Sequence, residues 1–337
     1  MTYKGGIIIG TKATAILLTV ACFLAGCRSG LRAEQSCIKN AIESISAIRC
    51  SKNPLIDFST SHTLGENING PSVIRVPSWI KKSLGRYYMY FAHHQGKYIR
   101  LAYADSLEGP WSIYEPGVLR LEQAKVFKGH IASPDVHIDE DKREIRMYFH
   151  GPAKSRSNQW TGVAISKDGL NFKPSDEILG RFYFRVFRWK DYYYAVAKHW
   201  NTGWGELLRS KDGLSPFESR GDFLRGMRHA AVMLRGNYLL IFFSRVGDAP
   251  ERILVSTVRL SDDWADWTES QPLEVIRPEY SYEGANYPIE PSNYGSAVRV
   301  CQLHDPCIFQ ENGKIYLFYS IAGEMGISMA ELKITMR

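Results

Sequence analysis

An apolar, tyrosine-rich strand recurs five times along the chain. It reads Tyr87-Tyr88-Met89-Tyr90-Phe91, Ile145-Arg146-Met147-Tyr148-Phe149, Tyr192-Tyr193-Tyr194-Ala195-Val196, Tyr238-Leu239-Leu240-Ile241-Phe242 and Ile315-Tyr316-Leu317-Phe318-Tyr319. Each copy follows a short polar or glycine turn, from Gly85-Arg86 in the first to Asn312-Gly313-Lys314 in the last. An apolar strand precedes each turn, and another follows each copy. A single unit of this kind cannot bury its own apolar face, so the units must stack. Five small sheets around one axis predict an all-β, five-bladed β-propeller, with strand ends converging on a central funnel.

The blades read as Asn69 to Val118, His130 to Ile178, Gly180 to Leu224, Arg228 to Ile276, and His304 to the C-terminus. Two turns are near-copies, Ser166-Lys167-Asp168-Gly169-Leu170 and Ser210-Lys211-Asp212-Gly213-Leu214, and Asp-Gly between strands is a strong turn signal. A long loop from Pro278 to Leu303 breaks the rhythm, and loops of that length in a compact domain are usually functional or disordered. Ahead of the repeat, Ile38, Ala41, Ile42, Ile45 and Ile48 fall at helical spacing and predict a short amphipathic helix from Glu34 to Ile48. The expected division is therefore a leader over 1–27, a helix and linker over 28–60, and the propeller over 61–337.

The leader has Lys4 and Lys12 before an apolar run, Ala13 to Leu24, which is short for a membrane span of ~20 residues. It ends in Leu24-Ala25-Gly26-Cys27, which resembles a bacterial lipobox. That resemblance implies a lipoprotein signal peptide, lipid attachment at Cys27 and a place in the bacterial cell envelope. Arg28 after the cysteine favours the outer membrane, by resemblance to the enterobacterial sorting pattern. An ordinary secretory signal is the alternative. Export would let Cys37–Cys50 and Cys301–Cys307 form local disulfides, with free thiols as the other reading. The net charge of +7 comes with no Lys/Arg run or stripe, which argues against a nucleic-acid partner. No cysteine spacing suggests zinc.

The turn Asp105-Ser106-Leu107-Glu108-Gly109-Pro110-Trp111 and the strand start Ser133-Pro134-Asp135-Val136 extend the pattern. With five blades, these features resemble the family 43 glycoside hydrolases and their propeller relatives in families 32, 62, 68, 117 and 130, over residues 60 to 337. The resemblance implies glycosidic-bond cleavage by acidic residues at the strand starts of the first three blades: a base, a pKa modulator and an acid. Asp135 matches the modulator position. Gly70 stands where the base is expected and Tyr183 near the acid, so the acidic set is altered. Asp305, in His304-Asp305-Pro306, and Glu283, on the long loop, are the next catalytic candidates. Glu66, Glu290 and Glu324 are further carboxylates. By analogy with some family members a structural calcium is conceivable, although no ligand cluster demands one and no cofactor is expected.

Ends of the repeated strands should open on the same face as the starts of the strands before them. Seven of the nine histidines sit at such ends: 93, 94, 130, 150, 199, 229 and 304. Any one, taken singly, is more often structural than catalytic, but their shared register follows the repeat. The substrate-binding candidates are His93, His94, His150, Tyr183, Lys198, His199, Trp200, His229 and Arg245. Basic groups at the funnel would attract an anion. The expected function is an exported, exo-acting glycosidase. The alternatives are a non-catalytic sugar-binding lipoprotein, and a phosphorylase or hydrolase of anionic sugars.

Overall fold

The repeated strand is the second strand of every blade. The computed structural model describes residues 38–200, 203–295 and 297–337. Blade one pairs Asn69–Arg75, Tyr87–Ala92, Tyr98–Ala104 and Ser112–Arg120 in an antiparallel meander. Blade two begins with Ala132–Asp139, blade three with Arg185–Trp189, blade four with Met227–Arg235 and blade five with His304–Glu311. The predicted propeller is the observed fold.

Alternation along the repeated strand explains how blades join. Side chains of a strand point to opposite faces with period two, so a strand buried on both sides serves two neighbours. In blade one, Tyr88 and Tyr90 pack into a cluster with Ile145, Met147 and Phe149 of blade two. Met89 and Phe91 point the other way, into a cluster with Phe318, Ile327 and Met329 of blade five.

The Asp-Gly turns receive these tyrosines. Tyr90 donates its hydroxyl hydrogen to Gly169 O at 3.0 Å, and Tyr148 repeats the bond to Gly213 O at 3.0 Å. In each turn the aspartate accepts from two following backbone N–H groups. Gly169 and Gly213 have φ of 75° and 70°, and a Cβ there would lie 2.9 and 2.8 Å from the tyrosine hydroxyls. Glycine is required both for the left-handed backbone and for the close approach.

The ring closes with a strand where the sequence predicts a helix. Ile42–Arg49 pairs with Gly326–Met336 as the outer strand of blade five, with Ile45 opposite Ile334 and Ala47 opposite Leu332. A register shift between Ile42 and Ser44 explains the misreading. It breaks the alternation and leaves isoleucines three apart, which mimics helical spacing. Ile48 gives the phase away, being 57% exposed while Ile45 and Ala47 face the blade. Both ends of the described chain thus share one sheet, which fastens the first described strand to the last and closes the ring. The leader, Cys27, Cys37 and the start of the predicted helix lie outside the described residues. Cys301 and Cys307 are separate free thiols, as is Cys50, so of the two readings open for Cys301 and Cys307 the structure has the free thiols.

Candidate active site

Three innermost strands enter the funnel with the same local geometry. Gly70, Ser133 and Asp305 each precede a proline, and each has positive φ, at 65°, 48° and 43°. The ladder shifts register at each of these points, between Asn69 and Ser72, Ala132 and Asp135, and His304 and Cys307. Tyr183, just before the first strand of blade three, has φ of 67°. Positive φ at a non-glycine residue costs of order 1–3 kcal/mol and is often retained for function. Here it turns the Ser133, Tyr183 and Asp305 side chains towards one cavity of about 170 Å³.

His94, His150, Tyr183, Lys198, His229 and Asp305, all predicted for the funnel, line that cavity together. Asn69, Gln159, Phe182 and Gly295 join them, and single-sequence pattern gave no signal for these four. Asp305 is 3% exposed and accepts from the Tyr183 hydroxyl at 3.0 Å and the Ser320 hydroxyl at 3.3 Å, with His229 Nε2 3.5 Å away. Burial, reinforced by the negative charge of Glu324, pushes its carboxyl above the usual carboxylate range.

Glu324 lines the same cavity. It accepts from Asn67 at 2.7 Å and Asn69 at 3.0 Å, with His94 Nδ1 3.4 Å away. Burial opposes its charge, but the hydrogen bonds and the fields of His94 and His304 prevail and hold its pKa at about 2. One cavity therefore holds two carboxyl groups driven in opposite directions.

Behind them is a buried ion-pair cluster. Glu251 accepts from Arg228 at 2.5 Å and from the Ser292 hydroxyl at 2.5 Å, and lies 2.9 Å from His304 Nε2. Arg228 also donates to Gly295 O at 2.6 Å, tying the long loop to blade four. Burial lowers the proton affinity of His150 and His229 well below the ordinary histidine value, and neighbouring positive groups lower it further.

Lys198 is 7% exposed, and its Nζ lies 5.2 Å from the ring centroids of both Phe182 and Tyr294. Burial, with help from Arg228, brings its pKa down to about 7.

Other predicted residues are placed elsewhere. Asp135 shares its register with Ser72 and Cys307, and these three line a second cavity. It accepts from Val186 N at 2.7 Å and sits 2.8 Å from His137 Nε2. The proline that follows the left-handed residue places Ser133, not Asp135, level with Asp305. Arg185 separates the two cavities. Its guanidinium lies 4.1 Å from the Tyr183 ring centroid and donates to Phe184 O at 2.9 Å, while its Nε donates to Ala230 O at 2.8 Å.

His93, His199, Trp200 and Arg245 do not line the funnel cavity. His93 accepts from Gln95 N, His199 pairs with Asp222 at 2.8 Å, and Arg245 pairs with Asp248 at 3.0 Å. Trp200 packs edge-on against Trp160 and donates to Gln159 O at 3.2 Å, so it backs one cavity wall.

Glu283 is a structural carboxylate. It is fully buried, pairs with Arg49 at 2.7 Å, and accepts from the Tyr319 hydroxyl at 2.9 Å and the backbone N–H of Glu279 at 2.8 Å. It joins the closing strand to the long loop. Glu283→Ala should lower unfolding free energy by about 3 kcal/mol, because it removes the buried partner of Arg49 and Tyr319 and leaves Arg49 only the exposed carboxylate of Glu279. Activity per folded molecule should be unchanged. Denaturant melts and active-site-normalised rates check this, and a rate loss without destabilisation would return Glu283 to the site.

Calcium binding is poorly supported by the donor set. His229, His304 and Asp305 offer donor atoms within 4.8 Å of one another. Two imidazoles and one carboxylate do not match the oxygen-rich shell of calcium. Arg228 Nη1 also lies 2.8 Å from His304 Nε2, and a cation there would face that guanidinium.

No family model matches the sequence. Solved structures share the fold. A GH43 β-xylosidase/α-arabinofuranosidase from a compost microbial metagenome, in complex with xylotriose, is 15% identical, with a TM-score of 0.57 over 86% of this chain and 94% of that one. The GH43_1 enzyme from Xanthomonas citri complexed with xylotriose is also 15% identical, with a TM-score of 0.57 over 86% and 93%. A thermostable family-43 glycoside hydrolase is 14% identical, with a TM-score of 0.55 over 80% and 93%. Among curated sequences, uncharacterized protein R118 of Acanthamoeba polyphaga mimivirus is 38% identical over 324 residues, covering 85% of this chain and 90% of that protein. On that identity and coverage, this five-bladed propeller belongs to the same family as the mimivirus protein R118.

Proposed function

We propose that the protein hydrolyses a glycosidic bond at the end of a glycan chain, with Asp305 as proton donor and Glu324 as the ionised partner. The observation that carries this reading is the opposed pair of carboxyl groups in one cavity. Glycoside hydrolysis needs one carboxylic acid to protonate the leaving oxygen and one carboxylate on the other side of the reacting carbon. Environments that drive two carboxyl groups apart assign those roles. Exo action is supported by the small volume of the cavity, about 170 Å³, which favours a chain end over a threaded polymer. The xylotriose bound by structural neighbours supports a carbohydrate ligand.

The leader supports export and attachment through Cys27 to the cell envelope, at the outer membrane. A second reading, sugar binding without turnover, is favoured by Gly70 and Ser133, which stand in two blades where Asp305 stands in the third.

The test is incubation of purified protein with a panel of xylo-, arabino- and hexo-oligosaccharides, following released sugar and its anomeric form. Release of terminal units supports the proposal, and Glu324→Gln should abolish it. Saturable binding with no release from any member would overturn hydrolysis in favour of the binding reading.

A further inference from the structure

Of the two cations that line the funnel cavity, Lys198 and Arg228, only Arg228 has a carboxylate partner among the described residues. Among the described residues, the Lys198 ammonium has no hydrogen-bond or ion-pair partner. The carboxylates around it are committed elsewhere: Asp305 to Tyr183 and Ser320, Glu324 to Asn67 and Asn69, Glu251 to Arg228 and Ser292. Burying an unpaired charge is costly, and it is usually relieved by a counter-charge or by loss of the proton. Phe182 and Tyr294 flank the ammonium and hold it by cation–π contact without removing its charge. Its pKa of about 7 records how incompletely the protein itself compensates it.

We propose that Lys198 is a specificity residue that pairs with a ring carboxylate, so that the glycan end taken by the funnel is a sugar acid. This rests on the reading of the funnel as a sugar site. A carboxylate fits better than a phosphate. One ammonium offers one positive charge, Arg228 is already paired with Glu251, and the ionised Glu324 on the same cavity would repel a dianion. Tyr294 is 45% exposed and sits on the long loop, so that loop supplies one wall of the carboxylate subsite.

Calorimetry on the wild-type protein at pH 6 tests this with free monosaccharides, which need no catalysis. Glucuronate is compared with glucose, galacturonate with galactose, and inorganic phosphate is titrated alone. At least one acid should bind tenfold or more tightly than its neutral partner. Lys198→Met should remove that preference and Lys198→Arg should keep it, with thermal melts confirming that both variants fold. Equal binding of acid and neutral sugar in both pairs would overturn the proposal, as would a preference that survives in Lys198→Met. Phosphate binding tighter than either sugar acid, and lost in Lys198→Met, would also overturn it in favour of free phosphate. Failure of hydrolysis reads separately: an acid preference without glycoside turnover removes only the catalytic reading.

Discussion

Replacing Asp305 by asparagine is expected to lower kcat by about 10²–10⁴-fold, the usual contribution of a positioned general acid. Asparagine keeps the shape: its carbonyl oxygen can still accept from Tyr183, and its NH2 can donate to the Ser320 hydroxyl oxygen, so the funnel should stay assembled. What it loses is the proton. In the wild type, burial and the Glu324 charge raise the Asp305 carboxyl, so it keeps its proton to higher pH than an ordinary carboxylic acid. Activity should then fall as pH rises through the Asp305 pKa, and this alkaline limb should vanish in the residual activity of Asp305→Asn. The acid limb should lie low, because Glu324 stays ionised down to about pH 2. Rates measured across pH for both proteins decide the matter. Asp135→Asn is the internal comparison. Asp135 lines the second cavity, so an equal loss in that variant would show that the funnel assignment is wrong.

Glu251→Gln should be the most destabilising single change near the site, costing about 3–5 kcal/mol, because removing one partner strands the other charge in the interior. Arg228 and Glu251 are both fully buried, and Arg228 carries the loop through Gly295. The same pair makes a pH prediction. The folded pKa of Glu251 is about 2, below its ordinary value of 4.5, as the fields of His304 and Arg228 overcome the burial that opposes its charge. A depressed folded pKa contributes stability that is fully present above the unfolded value. That stability is lost as pH falls from about 4.5 towards 2. Urea unfolding between pH 6 and pH 3 should show this loss in the wild type and a shallower one in Glu251→Gln. Parallel slopes would show that other carboxylates dominate the acid response.

Blade order was legible because its cause is local. The period-two alternation of Tyr88, Tyr90, Met89 and Phe91 states which residues face which neighbour, and Ser-Lys-Asp-Gly-Leu marks a turn by its own hydrogen bonds. The closing strand was not legible, since a bulge at Ile42 imitates helical spacing. Asp135 was misplaced for a related reason. Ser133 takes the left-handed conformation before Pro134, and that bulge turns Ser133 towards the funnel cavity while Asp135 lines the second one. Glu283 drew attention as a loop acid, yet its role is to hold Arg49 and Tyr319.

The all-β propeller, and which strand ends meet at its axis, could be read from the residues alone, because strand alternation and turn chemistry act over a few neighbouring residues. Which carboxyl groups face that axis, and which way their surroundings drive their proton affinity, was visible only once the chain was folded. Tyr183 and Asp305 are 122 residues apart in the chain yet 3.0 Å apart in space, and Arg228, Glu251 and His304 come from different strands and a loop. Burial and the fields of such distant neighbours set a pKa, and neither is written in the residues beside it.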